Sequence, residues 1–170
     1  MHAVPSDSGT AYPVTDNVAW LWTVCMERDR ADGAESLAAH ECREAVVRVL
    51  DHRPDAAWVA RRIAREALGR WRVGGEATGA TVLVLSELVT NAVQHALPRV
   101  VMHVCYLRGS QRLCVGVTDG GPAHRPGQWN SSRSEDECGR GLRIVRGFAD
   151  AHGVRCHASG TTRWARISAV

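Results

Sequence analysis

Glu87, Asn91 and His95 recur at four-residue intervals in the stretch ELVTNAVQHA. On an α-helix such positions fall within an arc of about 80° and span roughly 12 Å along the axis. A carboxylate, an amide oxygen and an imidazole would then stand in one row. Leu85, Val89, Ala92 and Ala96 would occupy the opposite side and face a core. A solvated polar stripe is the default for a surface helix. Here the preceding ATVLVLS is too apolar for one, so the spacing predicts a helix that lines a ligand cavity.

Two further stretches carry chemistry. In VTDGG, Asp119 ends a strand and is followed by two glycines, so a carboxylate can accept from a ligand amine while the backbone passes close by. Taken alone, those residues are more commonly an ordinary Asp-Gly turn. In GRGL, Gly139 and Gly141 are expected at the start of a helix, where unpaired N–H groups and the helix dipole suit a phosphate.

The elements that must position these groups can be read in order. AVVRVL (45–50) reads as a strand, and DAAWVARRIAREALGRW as an amphipathic helix with Trp58, Ile63 and Leu68 near one face. A second helix spans about 78 to 96. RVVMHVCYL (99–107) and RLCVGVTD (112–119) form a hairpin. A two-residue turn at Gly109-Ser110 would pair Leu107 with Arg112 and Cys105 with Cys114. Val100, Met102, Val104, Tyr106, Leu113, Val115 and Val117 would then share the core face, with Cys105 and Cys114 opposite each other on the second face, where the spacing allows a disulfide and a reduced pair is the expectation. A long Gly/Pro/Ser-rich loop (120–138), a helix over 141–152 and two strands, VRCHA and RWARISA, complete the pattern. The fold class expected is α+β: a two-layer sandwich, with helices on one face of a mixed, mostly antiparallel sheet.

Composition narrows the chemistry. The 170 residues suffice for one domain with a real core, expected over 43–170. Residues 1–42 read as a partly disordered extension, with Trp20 and Trp22 as docking anchors. The formal charge is +3, and no basic run points to nucleic acid. No apolar stretch is long enough for a membrane span and no signal peptide is evident, so the expected location is the cytoplasm. All 21 basic residues are arginine. Without lysine there is no P-loop, no eukaryotic-type kinase strand lysine and no Schiff-base chemistry. The six cysteines form no CxxC pair, which argues against a zinc site.

The order ExxxNxxxH, DGG, GRGL and a terminal Gly-Thr turn resembles the boxes of the histidine-kinase-like ATPase superfamily, the Bergerat fold, over about residues 44 to 170. The resemblance is nearest to the small bacterial anti-sigma-factor serine kinases and their single-domain actinobacterial relatives. It implies ATP and Mg²⁺ as cofactors. Asn91 matches the metal-coordinating amide, Glu87 the carboxylate acting as general base, and His95 a polar position near the phosphates. Asp119 matches the acceptor of the adenine amino group, with Gly121 letting the base approach. Gly139, Arg140, Gly141 and Leu142 match the phosphate-binding end of the lid, and Thr162 the threonine supporting the adenine site. One departure stands out: Pro122-Ala123 follow Gly121 where the family's first glycine box is commonly DxGxG, a form many small relatives share. The lid also carries Arg125, Trp129 and Arg133.

The function so implied is that of an ATP-binding regulator: a serine/threonine kinase that holds a sigma factor and phosphorylates a small antagonist protein. Direct nucleic-acid and membrane contacts are not expected, and homodimerisation is left open. The rival reading is a switch that uses ATP only as a conformational ligand for partner exchange. A third is a structural protein with a fortuitous motif.

Overall fold

The computed structural model describes residues 43–123, 135–158 and 160–170, and for Arg43 and residues 135–140 the backbone only. The expected N-terminal extension, with Trp20 and Trp22, and the lid residues Arg125, Trp129 and Arg133 lie outside the described residues. In chain order the elements are β1 (Arg43–Leu50), α1 (Ala56–Arg70), α2 (Gly75–His95), β2 (Val100–Leu107), β3 (Arg112–Asp119), α3 (Glu135–Phe148), β4 (Ala151–His157) and β5 (Gly160–Ser168). The strands form one sheet in the order β1-β2-β3-β5-β4, and each neighbouring pair is antiparallel. This is the α+β class expected from the sequence, with every described pairing antiparallel.

The β2–β3 register is the one expected: Leu107 opposes Arg112 and Cys105 opposes Cys114. The turn achieves it differently. The left-handed residue is Gln111 (φ 51°) rather than a glycine, in a four-residue connection (108–111) closed by Gln111 N–H on the Arg108 carbonyl at 3.2 Å. The Tyr106 hydroxyl donates to Gln111 Oε1 at 3.1 Å, which offsets the cost of that backbone. Val100, Met102, Val104, Tyr106, Leu113, Val115 and Val117 all join the core, as the alternation required. On the opposite face Cys105 keeps a buried free thiol. Cys114 is disulfide-bonded, though not to Cys105, so the expectation of two reduced thiols holds only at Cys105.

Helix α1 departs from its expected face. Its buried stripe is Ala56, Ala60, Ala64, Ala67 and Leu68, whereas Trp58 is 55% exposed and stacks under Arg62. Methyl-sized side chains let α1 lie close against α2, and a tryptophan there would hold the helices apart. The helix ends in a Schellman motif, with Val73 N–H on the Leu68 carbonyl and Arg72 N–H on that of Gly69. Arg72 takes the left-handed position (φ 59°) that usually belongs to glycine.

Helix α2 buries Leu85, Val89 and Ala92 completely, and Ala96 just beyond its end is also buried. Its polar row is therefore turned outward, away from the sheet core, as its periodicity demanded. Helix α3 begins at Glu135 and stops at Phe148, where the sequence predicted 141–152. Residues from Ala151 instead extend β4, because their backbone is consumed by pairing with β5.

Candidate functional site

Glu87 and Asn91 are half-buried on the outward row of α2, and His95 is exposed one turn further on. Helix α3 lies across that row at Gly141. A β-carbon placed on Gly141 would fall 2.9 Å from Glu87 Oε2 and 3.4 Å from Asn91 Nδ2. Glycine is thus what lets α3 approach the two polar groups without displacing them.

The GRGL segment corrects the sequence reading in one respect. Because α3 starts at Glu135, Gly139, Arg140 and Gly141 lie inside the helix and not at its first turn. Their N–H groups are spent on intrahelical bonds, since only the first four of a helix are unpaired. The side chain of Arg140 lies outside the described residues, and Leu142 is 39% exposed.

Asp119 is brought to the end of α2 by backbone pairing. Beyond the end of α2, Leu97 N–H donates to the Gly121 carbonyl (2.8 Å) and Gly120 N–H to the Leu97 carbonyl (3.2 Å). Ala123 N–H donates to the His95 carbonyl (3.1 Å) and completes a short ladder between DGGPA and the helix end. A β-carbon on Gly120 would meet the Pro98 carbonyl oxygen at 2.7 Å, so that ladder depends on a glycine. Gly121 takes φ 89°, a conformation that aims its own N–H back at Asp119 Oδ1 at 2.9 Å.

The Asp119 side chain is wholly buried, and its second oxygen, Oδ2, accepts from Arg163 Nη1 at 2.5 Å. A buried carboxylate without a charged partner would be strongly unfavourable, and Arg163 supplies that partner. Composition and motif spacing gave Arg163 no role. The signal that could have found it is the strand alternation of GTTRW: Arg163 opposes core-facing Val117 and so shares a face with Asp119.

The same alternation moves Thr162 out of the site. Thr162 opposes Thr118, and their hydroxyls are 2.8 Å apart on the face away from the helices. His103 Nε2 approaches Thr118 at 3.1 Å and His157 Nε2 approaches Thr162 at 3.0 Å, which extends a polar line across four strands. Thr161 is the residue that opposes Asp119 on β5. Side chains one residue apart on a strand point to opposite faces, so the sequence expectation at Thr162 was displaced by one position.

A groove of about 260 Å³ runs between α1 and α2 on another flank of Glu87. Arg61, Arg65, Thr78 and Ser86 line it along with Glu87, and Arg61 Nη1 lies 3.5 Å from Ser86 Oγ. Among the described residues no cluster of three or more His, Cys, Asp or Glu side chains could hold a metal ion by itself. No described helix is long and apolar enough to cross a membrane.

Known proteins share this architecture. The chain is similar to the crystal structure of the RsbU and RsbW domains of Rv1364c from Mycobacterium tuberculosis, with a TM-score of 0.58 and 22% identity. The match covers 74% of this chain and 32% of that one, so it spans about a third of the larger protein. No curated protein shows significant similarity to the chain. Residues 50–167 match the family described as Histidine kinase-like ATPase domain, and the chain belongs to that family.

Proposed function

We propose that the protein is an Mg-ATP-dependent serine/threonine kinase of the anti-sigma type, acting in the cytoplasm on a small antagonist protein. The carrying observation is the contact of Gly141 with Glu87 and Asn91, two segments about fifty residues apart that meet through a glycine. That geometry suits a phosphate-side wall, as the buried carboxylate of Asp119 suits the amino group of a base. Asn91 offers a neutral oxygen to Mg²⁺, which keeps several waters and needs few protein ligands. Bound ATP supplies the transferable phosphoryl group.

The chain's own residues then have separable tasks. Asp119 orients the base and Gly121 keeps the backbone out of its way. Asn91, together with His95 at the helix end, faces the phosphates. Glu87, reachable from the groove lined by Arg61 and Arg65, takes the proton from an incoming Ser or Thr hydroxyl. The remainder of the rate enhancement comes from positioning and charge neutralisation. The likeness to a structure containing an RsbW domain supports the fold. The choice of a sigma factor and its antagonist as partners rests on the motif resemblance.

Labelled ATP incubated with candidate antagonist proteins tests the proposal. Transfer to Ser or Thr that falls at least about 100-fold in Glu87→Gln is expected, in line with general-base contributions. Mg-dependent ATP binding without transfer to any partner would instead mark the protein as a nucleotide-operated binding switch.

A further inference from the structure

We infer that Cys114 is bonded to Cys25, and that this disulfide straps residues 1–42 over the sheet face turned away from the helices, as a cover released by reduction. Cys114 is disulfide-bonded, whereas Cys105 and Cys156 keep free thiols. The sequence leaves Cys25, Cys42 and Cys138 as partners. Bonded cysteines have Cα atoms within about 7 Å of each other. Cys114 opposes Cys105, which in turn opposes Ala45 on β1. Cys42 therefore stands two strands and three residues away, about 10 Å across the sheet and about 10 Å along it. Cys138 belongs to α3, which packs on α2 at Gly141, while Cys114 points to the other face of the sheet. Cys25 remains. Residues 26–42 link it to β1, far more chain than a two-strand step requires.

The burial of that face requires the same cover. His103, Cys105, Cys114, Thr118 and Thr162 are at most 5% exposed there, and Arg166 is 8% exposed. Helices α1 and α2 occupy the opposite face, and among the described residues no element lies over this one. Residues 124–134 leave from Ala123, which is bonded to the His95 carbonyl, and return at α3, so both their ends sit on the helix side. Residues 1–42 join instead at β1, an edge strand, from which the chain can turn to either face. The run VAWLWTVCM around Cys25 brings apolar and indole surface suited to Val101, Leu107 and Trp164, which share the covered face.

Closing the strap is a two-electron oxidation, for which a low-molecular-weight disulfide serves as oxidant. The Cys25 thiolate attacks its S–S bond and expels one thiol; the Cys114 thiolate then attacks the mixed disulfide and expels the second. One S–S bond is broken, one is formed, and the two protons leave on the reduced oxidant. Cys105 does not reopen the closed bond. Burial pushes its thiol up to about 12, so it stays protonated beside Cys114 at neutral pH. In a reducing compartment bonds of this kind are transient and act as sensors.

The test begins with peptide mapping of the full chain after incubation with excess oxidised glutathione. Free thiols are alkylated in denaturant and the chain is cut after arginine, which separates all six cysteines. A peptide pair joining Cys25 to Cys114 is expected, with Cys105 and Cys156 alkylated. Cys114 joined to Cys42 or Cys138, or found alkylated, overturns the assignment. The cover is read separately, from the rate at which iodoacetamide labels Cys105 in the folded protein. Reduction is expected to raise that rate about tenfold or more, and Cys25→Ser to show the raised rate without reductant. The reduced wild type carries this arm if the variant fails to fold. A Cys105 labelled equally slowly in the oxidised, reduced and Cys25→Ser proteins overturns the strap. Neither readout involves nucleotide, so the result is independent of the kinase reading.

Discussion

Gly160 presses directly on Asp119: a β-carbon at residue 160 would lie 1.9 Å from the Asp119 carbonyl oxygen. The obstacle is backbone, so it cannot swing aside, and Gly160 also holds φ 147°. This contact locks the end of β3 to the start of β5 and sets the depth of the carboxylate.

Gly160→Ala is therefore expected to lower stability by about 2–4 kcal/mol, combining strained backbone with a forced shift of two strands. Urea denaturation measures that loss. Nucleotide affinity should fall with it even at temperatures where the variant remains folded, since Asp119 moves with its main chain. A stable variant with unchanged affinity would show that the strand contact is dispensable.

Gly141→Ala should behave oppositely. Alanine is the better helix former by about 1 kcal/mol, and the atoms it meets are the flexible ends of Glu87 and Asn91. Stability is expected to stay within about 1 kcal/mol of wild type, the helix gain offsetting the crowding. Nucleotide binding or phosphotransfer should drop about tenfold or more, because the two polar groups are pushed from their positions. Thermal melts beside titration calorimetry separate the two effects.

His103 makes the stability pH-dependent. Burial pushes its imidazole down to about 4 from the ordinary 6.5. Between those values the unfolded chain binds a proton that the folded chain does not, so stability falls as pH falls. The contribution is present in full above about pH 6.5 and lost by about pH 4, amounting to roughly 3 kcal/mol. His103→Asn should flatten this slope in denaturation series between those limits. A slope that persists unchanged would assign it to other groups.

Arg72 sits left-handed at the end of α1 where glycine is usual. Arg72→Gly should raise stability by up to about 1 kcal/mol, since relief of the strained backbone outweighs the added freedom of the unfolded chain. The midpoint of chemical denaturation should rise without a change in slope.

What the chain alone determined is local and periodic. The two faces of α2 follow from 3.6-residue repetition, which divides Glu87, Asn91 and His95 from Leu85, Val89 and Ala92 without reference to any other element. The β2–β3 register follows from a short connection and alternating side chains, even though the turn residue is Gln111 and not glycine. Tertiary structure decided whatever depends on partners distant in sequence. The alanine stripe of α1 replaces Trp58 because the closeness of α2 selects small side chains, a criterion invisible in hydrophobicity. The assignment at Thr162 turned on a register between strands whose contacting residues are 44 apart, where one step reverses every side chain. The same register carries Arg163 to Asp119, so the ion pair at the centre of the site exists only once β5 has found β3.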